Sequence, residues 1–259
     1  MKIAQVVTFV SSDGSFGGPT RVALGQAEAL ADRGHEVTVY SAAPAAEAGE
    51  SRRDGYRIKT FPARRIGNSS GFATMFAPGL STALRTDLPH TDVAHIHLAR
   101  DLVTMPAARQ IRRAKVPYVV QPHGMIDATD KLLAKPLDAF ATRPVLREAI
   151  AVLALTDREI DDIALIEPGA RSQRIANGIK VGVLPSYEGR DNVVLFLARL
   201  HERKRPLAFV RMAEMLRDEL PETRFLLVGP DEGQGAAVAA AIKGARMGDR
   251  LEWLSLIHI

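Results

Sequence analysis

The segment Lys2–Tyr40 constrains the fold more than any other part of this chain. Lys2–Thr8 is an apolar run that reads as a strand. A small-residue loop, Ser11–Gly18, follows it. Pro19–Arg33 then reads as a helix: Pro19 suits its first turn, Val22, Ala23, Gln26, Ala27 and Leu30 share a face, and Gly34 terminates it. His35–Tyr40 supplies a second strand. Strand, glycine loop, helix and strand together make a βαβ unit, which commits the chain to an α/β architecture with parallel strands. The bare backbone N–H groups of Gly17, Gly18 and the helix start, added to the helix dipole, favour an anionic or hydroxyl-rich ligand. A nicotinamide oxidoreductase is disfavoured. The loop is longer than a G-x-G-x-x-G turn, and the second strand ends at Tyr40-Ser41, where a ribose-binding acid would stand.

Further strands fall at Gly55–Phe61, Asp92–His97, Pro117–Gln121, Ala151–Leu155, Val193–Ala198, Arg224–Val228 and Leu251–Leu254. Helices are expected over Ala73–Arg85, Leu102–Lys115, parts of Asp127–Ala149, Asp157–Ile166 and Gly235–Met247. Thr156 can cap the helix at Asp157, and Glu159 three residues on completes a capping box. Residues 1–180 read as one domain, 181–190 as a linker around Pro185-Ser186, and 191–259 as part of a second domain.

Ligands of open α/β sheets bind beyond the carboxyl ends of strands. Val193–Ala198 is nearly unbroken apolar sequence, as expected for a strand buried on both faces. It ends in Arg199, and Lys204 stands just before Pro206, which suits the first position of a helix. A guanidinium that can fork onto phosphate oxygens and a movable ammonium suit a diphosphate, although the same residues would also make an ordinary solvated basic turn. His123 lies in the corresponding place after Pro117–Gln121, with Gly124 allowing a sharp turn. It reads either as a site residue or as a histidine satisfied within its loop. His95 and His97 share one face of their strand by period-2 spacing. A metal needs a third ligand that is not evident near them in sequence, so a structural hydrogen-bonding role is the better reading.

Composition excludes several classes. The 259 residues are 46% hydrophobic and 25% charged, as in ordinary globular proteins, and no apolar run is long enough to cross a bilayer. Met1–Val10 lacks the basic region and cleavage site of a signal peptide, so a cytoplasmic protein is expected. Zero cysteines remove disulfides, thiolate nucleophiles and cysteine metal sites. The net charge of +4 lies wholly before Ser186, with clusters at Arg52, Arg53, Arg57, Lys59, Arg64 and Arg65, and again at Arg109–Lys115. Such clusters are solvated faces or surfaces for anionic lipid, each cation near a membrane contributing about 1 kcal/mol. No aromatic residues interleave with them, which argues against nucleic acid.

Several of these pieces occur together in one order: Gly17-Gly18 with Arg33-Gly34-His35-Glu36-Val37, Asp92…His95-Ile96-His97, His123-Gly124-Met125, Leu155-Thr156…Glu159, Ala176-Asn177-Gly178-Ile179, Leu197-Ala198-Arg199-Leu200…Lys204, and Leu226-Leu227-Val228-Gly229-Pro230. In that order the chain resembles family 4 glycosyltransferases, with Ala176 where the family usually has proline and Ala198 where it usually has glycine. The resemblance implies a GT-B fold: a complete N-terminal Rossmann-like parallel-sheet domain and the first part of a second one. It implies a retaining enzyme that moves a hexosyl-type sugar from a UDP- or GDP-linked donor to a saccharide or lipid-linked acceptor, as in bacterial surface polysaccharide synthesis, without metal or cofactor. Arg199 and Lys204 would hold the donor diphosphate and stabilise the charge that develops on it. His123 would contact the transferred sugar near the reacting centre. Gly17, Gly18, His97, Gly124, Asn177 and Gly229 would lie on the donor or acceptor. Donor and acceptor choice would rest on variable loops such as Arg64–Ala77 and Asp127–Leu137. The basic clusters of the N-terminal domain add an expected peripheral contact with anionic membrane, at its inner face.

The family's Glu…Glu donor motif would follow a later strand than any here, so an amino-terminal fragment, inactive by itself, is expected. Its ending, Leu254–Ile259, reads Leu-Ser-Leu-Ile-His-Ile, which a common transposon-end sequencing adaptor encodes in one frame. An artefactual end is therefore expected. A ligand-binding module lacking the donor clamp is the alternative.

Overall fold

A computed structural model describes residues 1–12, 17–67, 73–127, 138–182 and 191–254. The chain forms two compact units, Met1–Val181 and Gly182–Ile259. Ser69-Ser70-Gly71, most of Asp127–Leu137, most of the expected linker and the last five residues lie outside the described residues.

The first unit runs β1 (Lys2–Phe9), α1 (Gly17–Ala31), β2 (Glu36–Ala43), β3 (Gly49–Arg53), β4 (Tyr56–Pro62), β5 (Arg64–Arg65), β6 (Met75–Phe76), α2 (Leu80–Asp87), β7 (Val93–Ile96), α3 (Thr104–Arg113), β8 (Tyr118–Val120), α4 (Arg143–Glu148), β9 (Ala151–Ala154), α5 (Asp157–Ile166) and β10 (Ser172–Arg174). Its main sheet has the order β10-β9-β8-β7-β1-β2-β4-β3, and every described pairing is parallel except β3 with β4. Alternation along the strands divides the core into two layers. Ala4, Val6, Ala94, Ile96 and Val120 pack with Leu84 of α2 and Ile111 of α3. On the other face Ile3, Val7, Val37 and Val39 pack with Ala23 and Ala27 of α1. The chain leaves β1 toward β2 and β4, then returns to β1's other side with β7. The carboxyl ends of β1 and β7 therefore flank the switch point where such sheets bind ligands.

Several boundaries differ from the sequence reading. Gly17 and Gly18 open α1 instead of ending a loop, so their N–H groups belong to the unpaired first turn of the helix. The helix expected over Ala73–Arg85 starts only at Leu80, because Gly79 at φ 91° stands outside it after Pro78. β2 runs on through Ser41, Ala42 and Ala43, small residues that fit a buried strand end. The fully exposed β3 carries no apolar alternation and is not expected from it. Its pairing comes from Asp54 and Gly55, both at positive φ, which turn the chain back onto β4.

The second unit runs β11 (Val193–Leu197), α6 (Pro206–Met215), β12 (Arg224–Val228), α7 (Gly235–Ala245) and β13 (Leu251–Leu254), with the three strands parallel and in sequence order. Pro206 is the first residue of its helix, as its missing N–H suits. Right-handed crossovers between strands in that order put both helices on one face. Phe196, Phe209, Val210, Phe225, Leu227 and Val238 accordingly form one core. The expectation that β11 is buried on both faces fails. Val194 and Phe196 pack inward, while Val193, Leu195 and Leu197 stand 41%, 54% and 69% exposed on the face that neither helix covers.

Candidate functional site

In the first unit the carboxyl edge of the sheet gathers a stack of imidazoles. His95 and His97 project from β7 and its end on the α1 side, and His123 follows β8. The His95 and His97 rings stack at 4.4 Å, while the His97 and His123 rings, nearly parallel with centroids 5.1 Å apart, meet edge to edge. His97 Nδ1 and His123 Nε2 lie 2.8 Å apart, a hydrogen bond. Burial holds all three neutral near pH 7: it lowers the pKa of His95 and of His123 to about 4, and that of His97 well below its usual value. His97 is 0% exposed, which corrects the expectation that it meets a ligand directly. Among the described residues its side-chain hydrogen bond is to His123. Stacked rings present faces to one another, in keeping with a structural role for the pair His95 and His97.

His123 and Gly124 both have left-handed backbones, at φ 54° and 70°. The residue that holds this turn is Glu159, which is 5% exposed. Thr156 caps α5 as expected, accepting from the Glu159 N–H at 3.1 Å. The Glu159 carboxylate does not close the expected box on Thr156. It accepts from the N–H groups of Leu155 and Gly124, at 2.7 Å each, and so ties the helix start to the histidine loop. The spacing signal for Glu159 was present in the sequence, but the distant partner was not.

Asn177 joins the same edge through Gln121. Gln121 donates to Asn177 Oδ1 at 3.3 Å and accepts from Gln26 of α1 at 3.1 Å. At the switch point Thr20 Oγ1 donates to the Phe9 carbonyl, fixing the start of α1 on the end of β1. A recess of about 80 Å³ there is lined by Thr8, Phe9, Pro19, Thr20, Ala99 and Met125, so the α1 start bearing Gly17 and Gly18 adjoins the loop after Gly124. Arg100, absent from the sequence-based candidates, lies just beyond β7. Its guanidinium pairs with Asp127 at 3.1 Å and with Asp138 at 2.9 and 3.0 Å. The cue used for Arg199, a lone arginine past a strand's carboxyl end, would have found it.

In the second unit Arg199 and Lys204 line one concavity of about 520 Å³ with His201, Arg203 and Glu232. Arg199 follows β11, and Lys204 sits in a short 3₁₀ turn that ends at Arg205, whose left-handed backbone (φ 58°) feeds α6. Three cations against one carboxylate give this pocket a positive balance. Arg199 Nη1 is ion-paired with Glu232. Gly229 has a packing role. A Cβ there would stand 2.0 Å from the Ala198 carbonyl oxygen. Its N–H donates to Leu254 O, and its carbonyl accepts from Trp253 Nε1 at 2.9 Å. Asp231 accepts from the N–H groups of Gly233 and of Gly235, the first residue of α7.

Residues 17–178 match the family model described as glycosyl transferase 4-like domain. No curated protein matches the chain. Among solved structures, HepE from Anabaena in complex with UDP and glucose is similar with a TM-score of 0.67 at 16% identity, over 98% of this chain and 69% of that one. TarM from S. aureus, as a mutant with fondaparinux, α-GlcNAc-glycerol and UDP, gives 0.64 at 10% identity, over 98% and 77%. An E. coli trehalose-6-phosphate protein bound with UDP-2-fluoro glucose gives 0.59 at 12%, over 98% and 73%. These likenesses carry the fold, α/β of GT-B type.

Proposed function

The chain belongs to the glycosyl transferase 4-like family, and from that premise we propose a retaining transferase that moves a hexose from a UDP- or GDP-linked donor to a saccharide or lipid-linked acceptor. The observation that carries the reading is the shared pocket of Arg199 and Lys204 at the carboxyl edge of β11–β13. As the sugar–phosphate bond breaks, negative charge grows on the diphosphate, and two cations fixed there stabilise it more in the transition state than in the ground state. The reading uses no metal or cofactor, since these side chains supply the charge. His123 contacts the sugar, and Gly17 and Gly18 at the start of α1 face the acceptor or donor phosphate. UDP in the HepE and TarM structures supports a nucleotide-linked donor. The place of action is the cytoplasm, at the inner face of the membrane where surface polysaccharide is assembled. The exposed arginines of β3 and β5 supply attraction to anionic lipid. No helix among the described residues is long and apolar enough to cross a membrane.

Two observations favour little turnover by this chain alone: the uncovered face of β11, and the pairing of Arg199 with Glu232. They give the second reading, a non-catalytic ligand-binding module. A transfer assay with radiolabelled UDP- and GDP-sugars, run on the product of the whole open reading frame and on this chain, separates the two. Transfer by the former that falls at least about tenfold in Arg199→Ala and Lys204→Ala is expected. Full activity in both variants would remove the assigned roles.

A further inference from the structure

Between His97 Nδ1 and His123 Nε2, 2.8 Å apart, there is room for one hydrogen, so one imidazole donates and the other accepts. The surroundings of His97 decide which. Its other nitrogen, Nε2, is buried and has no hydrogen-bond partner among the described residues. If His97 accepted at Nδ1, its single proton would sit on Nε2 as a buried N–H with nothing to receive it. If His97 donates from Nδ1, Nε2 is left as a bare lone pair, and an orphaned acceptor is tolerated better than an orphaned N–H. Neither ring escapes by taking a second proton, because burial keeps both neutral. His123, partly exposed at the carboxyl edge, makes no described hydrogen bond through its own Nδ1.

We propose that His97 is a positioning residue that fixes the tautomer of His123: His97 Nδ1–H donates to His123 Nε2, leaving the His123 proton on Nδ1. His123 therefore presents an N–H donor, suited to a sugar hydroxyl oxygen or a phosphate oxygen. It does not present a basic lone pair on that side. The tautomer of a neutral histidine is set by the bond its other nitrogen makes, and a buried partner makes that bond independent of solvent. The left-handed turn at His123 and Gly124, pinned by Glu159, keeps the ring against His97. That the Nδ1 proton faces a sugar rests on the function proposed above; the tautomer does not.

The test is a long-range proton–nitrogen correlation spectrum of the chain with isotope-labelled histidine near neutral pH, which reads each ring nitrogen as protonated or bare without any substrate. His97 and His123 are both expected to show a protonated Nδ1 and a bare Nε2. In His97→Phe, which keeps a flat ring in the stack but has no donor, His123 is expected to shift toward the Nε2–H form that free imidazole side chains prefer. A bare Nδ1 on His123 in the native chain, or comparable amounts of both tautomers, overturns the proposal. So does a His123 signal unchanged in His97→Phe. Should that variant fail to fold, the native spectrum alone decides.

Discussion

His123 sits at a backbone angle that non-glycine residues seldom adopt, with its ring against a fully buried neighbour. Keeping three imidazoles neutral has a consequence for stability. Their ordinary pKa of 6.5 applies in the unfolded chain, whereas in the fold those of His95 and His123 are lowered to about 4 and that of His97 well below its usual value, all by burial. Between these values the unfolded state binds more protons. Stability is thus complete above about pH 6.5 and falls as the pH drops toward 4, by on the order of 2 kcal/mol for each of His95 and His123, with a contribution of the same sign from His97. A thermal midpoint that declines over this interval is expected, with a shallower decline in His97→Phe; a flat profile would contradict it. At Gly229 the clash of a Cβ with the Ala198 carbonyl at 2.0 Å implies that Gly229→Ala costs about 3 kcal/mol, readable by urea unfolding. The sequence showed His123 and Gly124 as notable because they stand at a strand's carboxyl end, and Gly229 through the family resemblance. It could not show that His97 is sealed from solvent or that Gly229 answers to Ala198, since both depend on neighbours far along the chain.

The helix α5 does two things with one turn: Thr156 caps it, and Glu159 reaches across to Gly124. Glu159→Ala would leave two partly buried backbone N–H groups without their acceptor, a loss of about 2 kcal/mol, whereas Thr156→Ala removes a single cap at about 1 kcal/mol. Equal losses by calorimetry would mean that the carboxylate only caps the helix. Elements with strong local patterns were legible, and α5, β12 and β13 run over the same residues in sequence and structure. Those set by distant partners were not. The strand β3 has no apolar alternation and exists through its pairing with β4, though Asp54-Gly55 advertised the turn. The apolar run Val193–Leu197 misled in the other direction. Continuous hydrophobicity predicts cover on both sides, but which side a helix covers depends on the order of the strands.

For the molecule, the α/β fold and the family were legible from motif order, because strand, loop and helix alternate along the described residues. The open apolar face of β11 is a liability for association. Leu195→Lys combined with Leu197→Lys is expected to lower concentration-dependent self-association in sedimentation velocity while leaving the thermal midpoint within a few degrees; unchanged sedimentation would show that this face stays free. The basic pocket of the second unit is the centre of the functional proposal, and Trp253, the chain's single tryptophan, reports on it through its bond to Gly229 at the same sheet edge. Titrating UDP and GDP into the chain while following tryptophan fluorescence should give a saturable change with at least one nucleotide, weakened about tenfold or more in Arg199→Ala and in Lys204→Ala. No saturable change, or binding equally strong in both variants, would show that these cations do not hold a diphosphate.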